Sequence, residues 1–319
     1  MSEERQIVPV PDDLAGHRLD QALAAMFPQY SRSRLKSWIL AGNVTVDGRE
    51  LRPRDPVSGG EVVALTPLLE VAAAEARAEP VEFAVAFEDD ALLVINKPAG
   101  LVVHPGSGNM GGTLMNGVMH RYPDLAALPR AGIVHRLDKD TSGLLLVAKT
   151  LESHTALVRY LALHDIERQY LAVCNGVLTG GGRIDAPIGR HPVDRLRMSV
   201  REGGKPAITH YRLRERFAAH SYVTVRLETG RTHQIRVHFA YRRHALVGDP
   251  TYGGRLALPA GASDELRDEL RNFRRQALHA ERLRFAHPVS GAAVEVSAPL
   301  PEDFERLLLA LRQDCEARQ

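Results

Sequence analysis

The chain has 319 residues, 44% of them hydrophobic, which is ample for a packed core and more than one ordinary domain needs. Its formal net charge is only +2, and its two cysteines, Cys174 and Cys315, are too few for a disulfide framework and lack the paired spacing of a zinc site. No apolar run approaches a membrane helix in length and the N-terminus lacks a basic region followed by an apolar core, so a soluble, cytoplasmic protein is expected rather than a disulfide-stapled, secreted or membrane-spanning one.

Helical spacing of Leu19, Leu23 and Met26 predicts a first helix, and a second runs from about Ser33 to Ala41, ended by Gly42. Two short strands follow at Asn43 to Val46 and Glu61 to Leu65, with Asp47-Gly48 as a hairpin turn. Residues 14–66 thus read as a small helix-plus-hairpin module. Ser31 or Ser33 would cap the second helix, whose exposed face carries Arg32, Arg34 and Lys36, three cations that could meet phosphates. Without the surrounding pattern, three basic residues at a helix start fit a solvated face better.

Residues 67–80, rich in Ala and Glu and flanked by prolines, read as a linker. Beyond it strand-like runs dominate, at Phe83 to Phe87, Leu92 to Ile95, Gly132 to His135, Leu144 to Ala148, Tyr170 to Val173, Tyr222 to Leu227, Gln234 to His238 and Ala293 to Ser297. Helices are expected at about Glu152 to Leu163 and Glu302 to Gln313, the latter with Phe304, Leu307, Leu308 and Leu311 on one face behind Pro301. The expected fold class is therefore α+β: a mixed, largely antiparallel central sheet with flanking helices over residues 81–319, plus the small N-terminal α/β module. Charge is unevenly spread. From Arg190 to Arg243 there are 13 Lys and Arg against 4 Asp and Glu, and a basic stretch inside a near-neutral chain suggests a polyanionic partner.

The segment His135-Arg136-Leu137-Asp138-Lys139-Asp140-Thr141-Ser142-Gly143 places a carboxylate between two apolar runs, Gly132 to Val134 and Leu144 to Ala148. Those flanks are too hydrophobic for solvent loops, so Asp138 is expected at or near the interior, interrupting a buried hairpin. An aspartate meant to act as a nucleophile there needs a cation within a few ångströms, and Arg136 and Arg231 are the candidates. A tight turn in which Asp138 or Asp140 caps backbone amides would use the same residues without any chemistry. The tetrapeptide recurs at His17-Arg18-Leu19-Asp20, but that copy opens an amphipathic helix, lacks a following Thr-Ser-Gly and suits Asp20 to a helix N-terminus.

Other chemistries fit less well. Gly106-Ser107-Gly108-Asn109-Met110-Gly111 has the spacing of a dinucleotide loop, but no ribose-binding acid closes a second strand about 20 residues later. His233 and His238, on a strand, would face opposite sides, which argues against a shared metal. Asp138 and Asp140 could be the two carboxylates of a glycoside hydrolase, yet nothing local separates them into acid and nucleophile. A binding module with no chemistry would leave Asp138 and a whole second domain unexplained.

The nonapeptide resembles the signature of the RluA-type pseudouridine synthases, His-Arg-Leu-Asp followed by Thr/Ser-Ser/Thr-Gly. The resemblance continues upstream through Val94-Ile95-Asn96-Lys97-Pro98-Ala99-Gly100 to Gly106, and downstream through Leu227 to His238 with its Glu228-Thr229-Gly230-Arg231-Thr232-His233-Gln234 core. It runs on through Leu246 to Pro250 and Arg275 to Ala280, covering most of residues 81–300. Arg18-Leu19-Asp20, Ser31 to Arg34, Gly42 to Gly48 and Gly59-Gly60-Glu61 resemble an S4 RNA-binding domain. The segments Lys149-Thr150, Arg190-His191-Pro192 and Gly204 to Ala207 resemble the branch of the family that acts on large-subunit ribosomal RNA.

That resemblance implies the pseudouridine synthase fold and an isomerase that turns uridine into pseudouridine. Asp138 would be the nucleophile, with Arg231 the basic partner that holds it ionised. Tyr170 would stack on the flipped base and serve in proton removal; Arg168 fits the basic position two residues before it. Arg136 would fill the gap left in the RNA, and Leu278, His135 and Thr141 would line the substrate pocket, although read from the residues alone His135 is a core histidine. Arg32, Arg34 and Lys36 would contact RNA. Isomerisation needs no cofactor, so neither a metal nor a nucleotide is expected; the partner would be a ribosomal RNA stem-loop, met by a monomer that binds no membrane.

Overall fold

The computed structural model describes residues 6–28, 30, 32–66, 77–106, 109–194, 196–256 and 258–318. The chain divides into two compact units, Met1–Glu75 and Ala76–Gln319. Most of the expected linker, residues 67–76, lies outside the described residues, as do Ser31 and the side chains of Ser33 and Arg34.

The N-terminal unit holds β1 (Gln6–Pro9), α1 (Leu19–Met26), α2 (Arg32–Leu40), β2 (Val44–Val46) and β3 (Val62–Leu65), its strands antiparallel in the order β1-β3-β2. Leu19 and Leu23, four apart on α1, meet Leu35, Trp38 and Ile39 of α2 over Val44, Val46, Val63 and Leu65 of the sheet. Asp47 (φ 47°) and Gly48 (φ 74°) adopt the left-handed pair a type I′ turn requires. The turn closes only the Val46–Arg49 bridge, and β3 returns after a further loop. Strand β1 lies upstream of residue 14, where no element is expected from the sequence.

The second unit runs β4 (Ala84–Glu88), β5 (Leu92–Lys97), α3 (Leu114–Arg121), β6 (Ser142–Ala148), α4 (Leu151–Leu163), β7 (Glu167–Asn175), β8 (Gly182–Asp185), β9 (Ile188–Arg190) and β10 (Met198–Val200). It continues with β11 (Ile208–Arg216), β12 (His220–Leu227), α5 (Gln234–Tyr241), α6 (Asp264–Asn272), β13 (Leu278–Ala286), β14 (Ala293–Ser297) and α7 (Glu302–Glu316). Nine strands form one sheet in the order β4-β5-β6-β13-β7-β12-β11-β8, with β14 beside β13; β9 and β10 pair apart from it. Among the described strands, β6 with β13 is the parallel pair and the others are antiparallel. This is the mixed, largely antiparallel sheet with flanking helices expected from the sequence.

Both faces of that sheet are covered, which is why its central strands read as continuous apolar runs. On one face Leu93, Ile95, Leu145, Val147, Ala172 and Val223 pack against Leu114 and Val118 of α3 and Ile235 and Phe239 of α5. On the other, Leu92, Val94, Leu144 and Leu146 pack against Leu157 of α4, and Leu171 and Val173 against the Phe304–Leu311 face of α7.

Two expected strands are absent. Gln234 to His238 is the first half of α5: Ile235 and Phe239, four apart, enter one core while Gln234 turns back to accept from Arg231 N at 2.9 Å. The apparent alternation of Ile235 and Val237 is a helix buried on more than one side. Gly132 to His135 is also not a strand. Arg130, Ala131 and Gly132 all take positive φ, so the chain leaves a 3₁₀ turn and approaches β6 as a loop, with Ile133 making an isolated bridge to Val147. Asp138 therefore ends a loop into β6 rather than interrupting a hairpin.

Candidate active site

That loop is fixed from three directions. Lys139 and Asp140 form a turn closed by Thr141 N donating to Asp138 O at 3.0 Å. Lys97, fully buried at the end of β5, donates from Nζ to the carbonyl oxygens of Pro98, Leu101 and Lys139 at 2.8, 2.9 and 2.9 Å. Burial pulls its ammonium down to about 7, opposed by the nearby Asp140 and Asp138 charges. Arg275 Nη1 reaches Asp140 O at 3.3 Å, and Gln276 Nε2 donates to Thr141 Oγ1 at 3.0 Å.

Upstream, His135 Nε2 accepts from Leu146 N at 3.0 Å, so an imidazole takes a β6 donor that a neighbouring strand would otherwise hold. Burial, reinforced by the Arg168 charge, lowers His135 to about 3, leaving it neutral and able to accept. It is a satisfied interior histidine, as its sequence context suggests, and it also lines the pocket wall.

Asp138 opens into a cavity of about 110 Å³. Arg136, Thr141, Tyr170, Arg231, His135 and Leu278, all expected at the site, line the same cavity. The cation paired with Asp138 is not the expected one. Arg236 Nη1 donates to Asp138 Oδ2 at 3.0 Å, whereas Arg231 Nε donates to the Pro206 carbonyl at 3.0 Å and makes no ion pair with Asp138. The helical twist of α5 decides this. Read as a strand, the segment gives no reason to prefer Arg236; as a helix, it carries that side chain inward from a buried turn.

Arg236 is itself clamped. Its Nε and Nη2 donate to Asp249 at 2.8 and 2.9 Å, Nη2 also reaches Thr251 Oγ1 at 3.0 Å, and its guanidinium lies 5.1 Å from the Tyr252 ring centroid. Asp249 Oδ1 is held in turn by Thr251 N and Tyr252 N. Burial opposes both charges, but the paired hydrogen bonds outweigh it, so Arg236 is shifted upward and Asp249 downward. A planar fork bridging two carboxylates suits arginine and not lysine.

His233 is a second residue the sequence reading did not assign. It has φ 57° at the entrance of α5, with Nε2 3.8 Å from Asp138 Oδ1 and Nδ1 2.9 Å from Tyr252 Oη. Tyr252 Oη also accepts from Met198 N at 2.9 Å, and with Nδ1 turned to that hydroxyl it is Nε2 that faces Asp138. Burial lowers His233 against the pull of Asp138, which favours the neutral imidazole.

Tyr170 on β7 is 6% exposed, and its phenol is pushed upward first by burial, so it is held as the hydroxyl. Leu278 opens β13 beside it, with Leu278 opposite Ala172 in register. The other copy of the tetrapeptide has a different fate. Asp20 lies in the first turn of α1 and accepts from Arg18 at 2.9 Å and Arg32 at 2.8 Å; burial raises it, but those hydrogen bonds hold it below the usual carboxylate value. Arg32, expected to meet RNA, is thus engaged with Asp20, while Lys36 is exposed.

The family model for RNA pseudouridylate synthase matches residues 91–241, and that for the S4 domain matches residues 17–63. A protein of Xanthomonas campestris pv. campestris named ribosomal large subunit pseudouridine synthase D is 58% identical, over 98% of this chain and 94% of its own length. Proteins of the same name from Pseudomonas aeruginosa and Escherichia coli K12 are 54% and 52% identical, over 97% and 96% of this chain and 96% and 94% of theirs. The solved structure of human RNA pseudouridylate synthase domain containing 1 has a TM-score of 0.54 at 26% identity, covering 73% of this chain and 96% of that one. Human RNA pseudouridylate synthase domain containing 4, at 24% identity, shares the fold with a TM-score of 0.58 over 72% and 92% of the two chains. With Asp138 clamped in a pocket on the β6 edge and relatives above half identity over nearly the whole length, the chain belongs to the RNA pseudouridylate synthase family, isomerases acting on RNA.

Proposed function

We propose that the chain converts uridine to pseudouridine in large-subunit ribosomal RNA, the RNA for which its curated relatives are named. The observation that carries this reading is a single carboxylate, Asp138, braced by Arg236 beside an aromatic ring, Tyr170, in a cavity of about 110 Å³. The reaction breaks the C1′–N1 bond, turns the base and joins C1′ to C5, with no net oxidation. A stacked uridine hides that bond, so the nucleotide is flipped into the pocket. Arg136, exposed at the rim and without an ion pair among the described residues, fills the gap with a planar cation that stacks on bases.

Asp138 Oδ1 is the nucleophilic atom, because Oδ2 is taken by Arg236 while among the described residues Oδ1 has only the 3.8 Å contact with His233. Tyr170 and Leu278 bed the base, with Thr141 and His135 completing the wall. Arg231 is half-buried at the cavity wall and serves the RNA backbone rather than Asp138. In the N-terminal unit Lys36 and Arg34 contribute phosphate contacts, and a ribosomal RNA stem-loop is the target. Chemical mapping of pseudouridine in ribosomal RNA, from cells with the protein, without it and with Asp138→Asn alone, tests the reading. Specific sites should vanish in the latter two strains; an unchanged map would sink the proposal.

A further inference from the structure

Among the described residues Arg168 is a cation without an anion. It is 8% exposed on β7, two residues before Tyr170 and on the same side of the strand, and it lines the Asp138 cavity. Its Nε is buried with no hydrogen-bond partner, and among the described residues no carboxylate pairs with its guanidinium. Asp138, the carboxylate that lines the same cavity, is committed to Arg236. Gly230 makes room for it: a Cβ there would stand 2.7 Å from Arg168 Nη1. Burying an unpaired guanidinium is unfavourable, so its counter-charge must arrive with the substrate or develop during the reaction.

We propose that Arg168 is a further catalytic residue, which binds the negative charge that builds up on the uracil ring. This rests on the uridine isomerisation proposed above. As an Asp138 oxygen bonds to C1′, the C1′–N1 bond breaks and its electron pair stays on N1, shared with O2. That edge then offers two adjacent acceptors, which match the fork of a guanidinium. If Asp138 attacks C6 instead, the new bond displaces the C5–C6 π pair through C4 onto O4. The charge lands on the ring in both cases. C5 then bonds to C1′, the bond to the Asp138 oxygen breaks with its electron pair returning to the carboxylate, the C5 proton leaves to water so that its bonding pair restores the ring, and N1 takes a proton from water; Arg168 donates hydrogen bonds and gives up no proton. An RNA phosphate would lie at the rim, where Arg136 and Arg231 are more accessible, whereas Arg168 is on the inner wall.

The test uses the full chain and its Arg168→Met and Asp138→Asn variants in single-turnover reactions at saturating RNA. One transcript carries uridine at the target and another carries 5-fluorouridine, whose fluorine stabilises the ring anion unaided and blocks the final loss from C5. Consumption of the starting nucleoside is read after digestion. Arg168→Met should slow the uridine transcript about a hundredfold to a thousandfold with unchanged RNA affinity, and the deficit should shrink about tenfold with 5-fluorouridine. Its melting temperature should be no lower than that of the parent chain, since an unpaired buried charge has been removed. An equal deficit on both transcripts, or a loss confined to affinity, would overturn the role. Full activity in Asp138→Asn would instead overturn the underlying reading of the nucleophile, so the two failures are told apart.

Discussion

At the scale of single residues, the site is a chain of charges in which each member fixes the next: Asp249 holds Arg236, and Arg236 holds Asp138. Asp138→Asn should lower tritium release from carbon-5-labelled uridine by about 10⁴-fold or more while the chain stays folded, because it removes one nucleophile. Activity comparable to the parent chain would refute that role. Arg236→Met should both inactivate and destabilise, by about 3–5 kcal/mol in urea unfolding, since it leaves the fully buried Asp249 carboxylate without its partner. Arg231→Met loses one bond to a carbonyl and should cost about 1 kcal/mol; equal losses in the two variants would contradict the pairing described. His135 makes a pH-dependent contribution of definite sign. Burial lowers its folded value from 6.5 to about 3, so between those limits the unfolded chain binds more protons and stability falls as the solution is acidified. His135→Gln, which can still accept from Leu146 N, should flatten that fall between neutral pH and pH ~4.5; parallel curves would mean the imidazole titrates alike in both states.

At the scale of elements, the reactive loop is positioned by the one parallel contact in the described sheet. Ser142 and Gly143 of β6 face His279 and Ala280 of β13, and Gly143 has φ 108° with a prospective Cβ 2.2 Å from the Ala280 carbonyl oxygen. A side chain there meets both a strained backbone and a backbone wall, so Gly143→Ala should destabilise by more than ~2 kcal/mol and displace Asp138, five residues away along the loop. Its kcat should fall further than RNA affinity. A variant with native stability would show that β6 and β13 can separate freely. Helix α5 is the other positioning element: one turn of it brings Arg236 to Asp138 and sends Ile235 and Phe239 into the core.

At the scale of the whole molecule, each unit has a core of its own, so the contribution of each can be tested apart from the other. Deleting residues 1–75 should weaken RNA binding and flatten the salt dependence of affinity, as fewer counterions are released, while the remaining unit still converts a minimal stem-loop. Titrations at several salt concentrations would measure the slope, and an unchanged slope would mean the S4 domain does not touch RNA. The sequence by itself determined the two-part organisation, the fold class and the demotion of Asp20, and its resemblance to the pseudouridine synthases pointed to Asp138, Tyr170, Arg136, Arg231, Leu278, Thr141 and His135, which line one cavity. The first three rest on local pattern, apolar runs and turn residues, and the pocket members on several motifs whose residues the family resemblance marks. What only the tertiary structure decided was which arginine meets Asp138, that Tyr252 and His233 stand behind it, and that Arg168 has no ion pair among the described residues. Those facts depend on residues 98 positions apart meeting across a helix whose burial on several sides imitates a strand, and no local period carries that information.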